Sequence, residues 1–405
     1  MLRRTLTTTV LLAICLGVRA FAQQETHPRE DTRTQYPALL ANSYVSVNVG
    51  WVDDPLSSLQ LQPGFRAGSV DVPHLAVRVV LVGHEFNKYL SAQGSYMRPV
   101  KYVSYRNVNG AAGTDHHYVR VDFGAVTLKT QAPIGRRLSA YGEGGVGFTS
   151  RTGFKINGAP GVSDEHFASA LIGGGVDYHV SPTWDLTAGV TYSPGKASIN
   201  QPRSVFSSGG FRYTMRPLPA DVVDANRGAG FIFPEHVIHL EYSTGTGYAI
   251  NRFVSETVPI FWGGNVAIDR GLAAHYEQNV FHTRKIFALD AGASAGGYQS
   301  RDDKDRFYTL SLYPLFRFTI LRLAPADLYF AYSLAGPTYI SKTILDGQDT
   351  GHRFTFQDFM GFGVFAGKNR NLNVGVKINH YSNGNIFTQN AGVKIPLTFS
   401  LGYAF

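Results

Sequence analysis

Residues 184–192 read Trp184-Asp185-Leu186-Thr187-Ala188-Gly189-Val190-Thr191-Tyr192. Successive side chains of a β-strand point to opposite faces. Trp184, Leu186, Ala188, Val190 and Tyr192 therefore share one face, and Asp185, Thr187, Gly189 and Thr191 the other. The same period appears at Val45, Val47, Val49 and Trp51 against Ser46, Asn48 and Gly50. It returns at Tyr308, Leu310, Leu312, Phe316, Phe318 and Ile320 against Thr309, Ser311, Tyr313 and Arg317. One face is apolar and often aromatic; the other is small or polar. A soluble sandwich gives similar alternation with the apolar face turned inward. Runs of about 10–15 residues, aromatics near their ends and polar segments between them favour strands whose apolar face meets lipid.

Composition agrees. Glycine accounts for 44 of 405 residues, well above the usual share of about 7%. Aromatics reach 13% and charged residues fall to 16%, where about 25% charged is typical. A disordered chain needs the opposite balance, and glycine disfavours a helical bundle. The formal charge of +8 is dispersed, with no Lys/Arg run longer than a pair, so no nucleic-acid partner is expected.

Met1–Ala22 has Arg3 and Arg4, a mostly apolar stretch through Val18, then Ala20-Phe21-Ala22. This is the pattern of a secretory signal peptide cut before Gln23. Cys15, the only cysteine, lies inside it, and Ile14 before it argues against a lipoprotein site. The exported chain then has no thiol, which excludes disulfides and cysteine chemistry. No later apolar run reaches the roughly 18 residues of a membrane helix. A closed barrel can still span a bilayer, because it satisfies every backbone group between strands.

After an extension over residues 23–40, strands are expected near 43–52, 72–83, 87–99, 116–131, 137–149, 166–180, 183–193 and 206–215. Residues 216–235 break the alternation with Pro217, Pro219, Gly228, Gly230 and Pro234. A second set follows near 237–246, 257–267, 283–298, 306–321, 326–341, 352–367, 371–383 and 392–405. Eight strands suffice for a small barrel. The expected fold is all-β, two tandem eight-stranded antiparallel transmembrane barrels; one sixteen-stranded barrel is the alternative. Leu397, Phe399, Leu401, Tyr403 and Phe405 form a terminal alternating row. It resembles the strand read by the outer-membrane assembly machinery, an expected partner. Residues 41–215, with Tyr141-Gly142-Glu143-Gly144-Gly145-Val146-Gly147-Phe148 and Gly173-Gly174-Gly175-Val176-Asp177-Tyr178, resemble the OmpA-like eight-stranded barrel family. The resemblance is a glycine-aromatic style.

Several motifs lack the context their chemistry needs. Gly142, Gly144 and Gly147 spell G-x-G-x-x-G, but a dinucleotide loop joins a strand to a helix, and here the alternation continues. Gly292-Ala293-Ser294-Ala295-Gly296 spells G-x-S-x-G without the helix of a nucleophile elbow. Asp115, His116 and His117 are adjacent, and His236 and His239 differ by an odd number, so each set is split between two faces. No metal and no cofactor are expected.

The strand near 371–383 differs. Its even row runs Leu372, Val374, Val376, Ile378, then His380 and Ser382; its odd row is Asn373, Gly375, Lys377, Asn379 and Tyr381. A histidine and a serine thus continue the lipid-facing row, with backbones about 7 Å apart. Outer-membrane barrels begin and end in the periplasm, so the end of this seventh strand faces outward, at the outer-leaflet boundary. Histidine can take the serine proton at neutral pH. Loop 383–391, with Asn383, Gly384, Asn385 and Asn390, offers donors for an oxyanion.

His380-Tyr381-Ser382-Asn383-Gly384, then Asn390-Ala391-Gly392 and a last strand ending in Phe405, resemble the PagL family of outer-membrane lipid A 3-O-deacylases over about residues 236–405. The resemblance implies Ser382 as nucleophile, His380 as base and Asn390 as oxyanion donor, with loop amides near Asn383 and Gly384 assisting. It also implies lipid A, the lipid anchor of the lipopolysaccharide in the Gram-negative outer leaflet, as substrate, hydrolysed without metal or cofactor. The family's acid lies on the final strand. Residues 389–405 contain no Asp or Glu, and Lys394 lies near the expected place. Asp358 interrupts the apolar row Phe354, Phe356, Met360 and Phe362. A turn flanked by Gly367 and Asn371 places Asp358 opposite His380, making it the candidate acid. The competing reading is a structural or binding outer-membrane barrel with a silent H-x-S-N stretch. The role of the first barrel stays open, as does a homodimer.

Overall fold

The structure, a computed structural model, describes residues 31–110, 116–250, 253, 264–387 and 389–405. The expected signal peptide, Cys15 and Asp115 lie outside the described residues. The chain builds two closed eight-stranded antiparallel barrels. The first consists of β1 (Ser43–Asp53), β2 (Leu75–Glu85), β3 (Leu90–Pro99), β4 (His116–Pro133), β5 (Leu138–Thr152), β6 (Glu165–His179), β7 (Trp184–Ser193) and β8 (Ser204–Thr214). The second consists of β9 (His236–Thr244), β10 (Val266–His282), β11 (Phe287–Ser300), β12 (Arg306–Leu323), β13 (Ala326–Ile340), β14 (Phe354–Ala366), β15 (Leu372–Ser382) and β16 (Val393–Ala404). β8 closes on β1 and β16 on β9, which excludes a single sixteen-stranded ring.

The faces decide between sandwich and membrane barrel. The apolar rows point outward: Trp184 is 48% exposed, Leu310 59% and Leu401 62%. The buried rows carry charge. Arg78 pairs with Glu143 at 2.6 Å and Lys129 with Asp177 at 2.8 Å in the first lumen. In the second, Arg317 bridges Glu277 at 2.7 Å and Asp290 at 2.9 Å, and Lys377 lies 2.5 Å from Glu241. Such an inside-out arrangement suits a hydrocarbon solvent. Toward the outer mouths the lumens turn apolar. Val52, Tyr105, Val121 and Phe206 join the plug of the first barrel, and Ile268, Phe307, Ile340 and Ile395 that of the second.

Most strand bounds fall within a few residues of expectation; β10 does not. The strand expected at 257–267 lies mainly outside the described residues, and the observed strand begins at Val266. Bulges between Ile268 and Arg270 and between Asn279 and Phe281 break its phase. Gln278 sits in its outward row, and the lumen row holds His275, Glu277 and Asn279. No clean apolar face was there to read.

The linker is not featureless. It contains a helix, Ala220–Arg227, started by Pro219, whose missing N–H would be unsatisfied at a helix start anyway. The N-terminal extension ties together the ends at which the two barrels' last strands finish. The Tyr36 hydroxyl lies 2.5 Å from that of Tyr213, its ring stacks on Phe281, and Gln35 exchanges hydrogen bonds with Leu218. Among the described residues no helix is long and apolar enough to cross a membrane.

Candidate functional site

The β14–β15 ladder sets Asp358 opposite His380 and Phe356 opposite Ser382, as the turn arithmetic requires. All four belong to outward rows, since the alternate residues Gln357, Phe359, Asn379 and Tyr381 line the lumen. His380 Nδ1 lies 3.6 Å from Asp358 Oδ2. That is an ion-pair distance rather than a hydrogen bond. Both side chains are buried despite facing outward. The other carboxylate oxygen accepts from the Ala335 N–H at 2.6 Å. This donor exists because β13 bulges: Ser333 pairs with Phe359 and Gly336 with Gln357, leaving two residues against Asp358. Ala335 takes a left-handed φ of 53° there. The bulge re-aims a backbone amide at the carboxylate, a common use of an extra residue.

On the other side β16 also changes phase. Lys377 pairs with Thr398 but Asn379 with Ile395, so a bulge spans Pro396. Below it Phe399, Leu401 and Tyr403 face outward; above it Val393 and Ile395 turn into the outer plug. Lys394 is thereby placed on the outward face, opposite His380. The position where the resemblance leads one to expect an acid is thus occupied by an ammonium, and the carboxylate comes from the strand on the opposite side.

The loop after β15 is built by its asparagines. Asn383 is fully buried. Its side chain donates to the Gln389 carbonyl at 2.7 Å and accepts from the Asn385 N–H at 2.9 Å. Its own N–H donates to Asn390 Oδ1 at 3.0 Å, and Asn390 Nδ2 donates to Asn385 Oδ1 at 2.8 Å. Asn383 is therefore an anchor. The amide that reaches the serine belongs to Gly384, whose N–H lies 3.4 Å from Ser382 Oγ. Gly384 holds φ 63° and Asn385 φ 57°, conformations suited to glycine and asparagine. Thr388 lies outside the described residues.

Elsewhere, Ser294 of the G-x-S-x-G stretch donates to Gln357 inside the lumen, and Gly142, Gly144 and Gly147 lie within β5. His239, Glu241 and His275 bring ligand atoms within 4.8 Å of one another. Lys377 already pairs with Glu241, and His239 lies 3.3 Å from Glu277, so the group reads as part of the lumen ion-pair network. The sequence reading missed it because His275 lies on β10, the one strand it misplaced.

Residues 262–404 match the family model described as lipid A 3-O-deacylase (PagL), and residues 42–196 that of the OmpA-like transmembrane domain. No curated protein sequence matches the chain. Among solved structures, Neisserial surface protein A is 20% identical, with TM-score 0.30, over 43% of this chain and 97% of its own. The crystal structure of the outer membrane enzyme PagL is 19% identical, with TM-score 0.28, over 42% and 98%. The N-terminal β-barrel domain of Pseudomonas aeruginosa OprF is 12% identical, with TM-score 0.26, over 43% and 98%. Each barrel thus matches its own family of outer-membrane barrels: the first, over residues 42–196, the OmpA-like transmembrane domain, and the second, over residues 262–404, the lipid A 3-O-deacylases.

Proposed function

We propose that the second barrel is a serine esterase of the Gram-negative outer membrane that removes the 3-O-linked acyl chain of lipid A. The reading rests above all on Asp358, His380 and Ser382, which share one outward face at the outer end of adjacent strands. That is where the acyl chains and sugar of an outer-leaflet lipid would meet the protein. Ser382 Oγ attacks the ester carbonyl while His380 takes its proton. Gly384 N–H and the Asn390 amide stabilise the oxyanion. The tetrahedral intermediate collapses, His380 protonates the departing sugar oxygen, and water then releases the fatty acid by the same steps. Asp358, 3.6 Å from the ring, stabilises the imidazolium formed when His380 takes the proton. No step calls for a metal or a cofactor.

Lys394 supplies the case for a silent, non-catalytic barrel, because the expected acid is absent from β16. Asp358 answers it by offering a carboxylate from β14. The terminal row ending at Phe405 suits insertion from the periplasm by the outer-membrane assembly machinery. Mass spectrometry of lipid A from cells with and without the protein tests the function. Expressing cells should lose one ester-linked acyl chain, and cells making the Ser382→Ala variant should not. Identical spectra with and without the wild-type protein would refute deacylation.

A further inference from the structure

Asn385 sits in the loop that carries Gly384 and Asn390, and the first barrel holds it. Its side-chain amide donates to Asp122 Oδ2 at 2.5 Å, and its side-chain oxygen accepts from Arg120 Nη2 at 3.1 Å. Its backbone carbonyl accepts from Ser150 Oγ. Arg120 and Asp122 are paired at 3.0 Å, and Ser150 Oγ lies 2.7 Å from His166 Nδ1. These residues occupy the outward rows of β4, β5 and β6 near their outer ends. Farther along β4 the same row becomes Val126 and Leu128, both exposed. Asp122 is only 2% exposed. A buried carboxylate on the outer wall of a membrane barrel is expensive without partners, and here Arg120, Tyr96 and Asn385 are its partners.

The contact reaches the candidate catalytic centre in one step. The Asn385 oxygen that accepts from Arg120 also accepts from Asn390, and the Asn385 N–H donates to Asn383. Gly384, whose N–H addresses Ser382, lies between those two asparagines.

We propose that the first barrel presets the active-site loop of the second, with Arg120, Asp122 and Ser150 as positioning residues that act through Asn385. They do not touch the reacting atoms. They fix the turn from which Gly384 N–H and Asn390 stabilise the oxyanion, which gives the OmpA-like barrel a role in the reaction. The catalytic consequence rests on the deacylase reading; the clasp itself does not.

The test uses the full-length protein in lipid nanodiscs, with two readouts: hydrogen exchange of the peptide spanning 383–391, and deacylation kinetics on lipid A. Asp122→Ala should speed exchange in that peptide about tenfold, as loss of a charge-assisted bond would. It should also lower kcat with KM little changed. Asp122→Asn keeps an acceptor oxygen for Asn385 and should restore much of both. An active wild type, with exchange and kcat both unmoved by Asp122→Ala, would overturn the proposal. Suppose instead that the wild type does not deacylate, yet the loop loosens in Asp122→Ala and recovers in Asp122→Asn. The clasp then stands and the deacylase reading alone fails. If Asp122→Ala does not assemble, Ser150→Ala, which deletes only one hydroxyl from the clasp, is read in the same way.

Discussion

Replacing Asp358 by asparagine isolates one charge at 3.6 Å from His380. The new side chain keeps an acceptor oxygen for the Ala335 N–H, so the β13 bulge and the barrel should survive. What disappears is the attraction between a carboxylate and the imidazolium formed during acyl transfer. At that separation a unit pair is worth about 5 kcal/mol at an effective dielectric of about 20, and about 1 kcal/mol in water. With 1.36 kcal/mol per tenfold in rate, kcat should fall between several-fold and roughly several thousandfold. The loss should be smaller than the roughly 10⁴ seen when a hydrogen-bonded triad aspartate becomes asparagine, because 3.6 Å is too long to lock the tautomer. KM should change little, since the charge acts on a species formed after binding. Initial rates on lipid A in mixed micelles, with products counted by mass spectrometry, measure both constants. Lys394→Glu, which puts a carboxylate on the other side of His380, should recover part of the loss in the double variant. Wild-type kcat in the Asp358→Asn protein would refute the assignment of Asp358 as the acid.

Ser382→Ala and His380→Ala should each abolish turnover, with the double variant no worse than either alone; Ser294→Ala, confined to the lumen, should leave rates intact. Arg317→Met strands Glu277 and Asp290 in the second lumen and should destabilise the barrel by about 3–5 kcal/mol, read as a lower urea midpoint in detergent. In the outer loops, the Lys342 ammonium and the Asp346 N–H hold Asp305 below the usual carboxylate range. A group depressed in the folded state stabilises above its unfolded pKa and loses that contribution as pH falls through its folded value. Protection from hydrogen exchange in residues 341–350, taken relative to the intrinsic rate at each pH, should therefore be high near neutrality and fall in acid below the ordinary carboxylate range. Asp305→Asn should flatten that dependence, and an unchanged profile would count against the clamp.

Much of the fold was legible because a strand announces itself with one period, and glycine-rich aromatic rows leave little else to choose. The position opposite His380 was legible for the same reason: a tight turn between Gly367 and Asn371 fixes register, and register fixes faces. What escaped were the places where the count slips. The bulge at Leu334–Ala335, which supplies an amide to Asp358, has no side-chain signature. The slip across Pro396, which swings Lys394 outward, shows in sequence only as a proline. The β10 strand hid behind two bulges and a charged inner row. Arg120, Asp122 and Ser150 read as ordinary outer-end polar residues, because their partner Asn385 lies more than 200 positions away and nothing local encodes the contact.

Among the described residues both lumens are filled. Ion pairs cross them, apolar plugs close their outer mouths, and the voids beside Arg78 and beside Glu277 measure only about 20 and 30 Å³, room for about one water each. A cell could therefore carry many copies of this protein without opening its outer membrane to antibiotics, dyes or bile salts. Any change in drug sensitivity that accompanies its expression should trace to the lipids around it rather than to leakage through it.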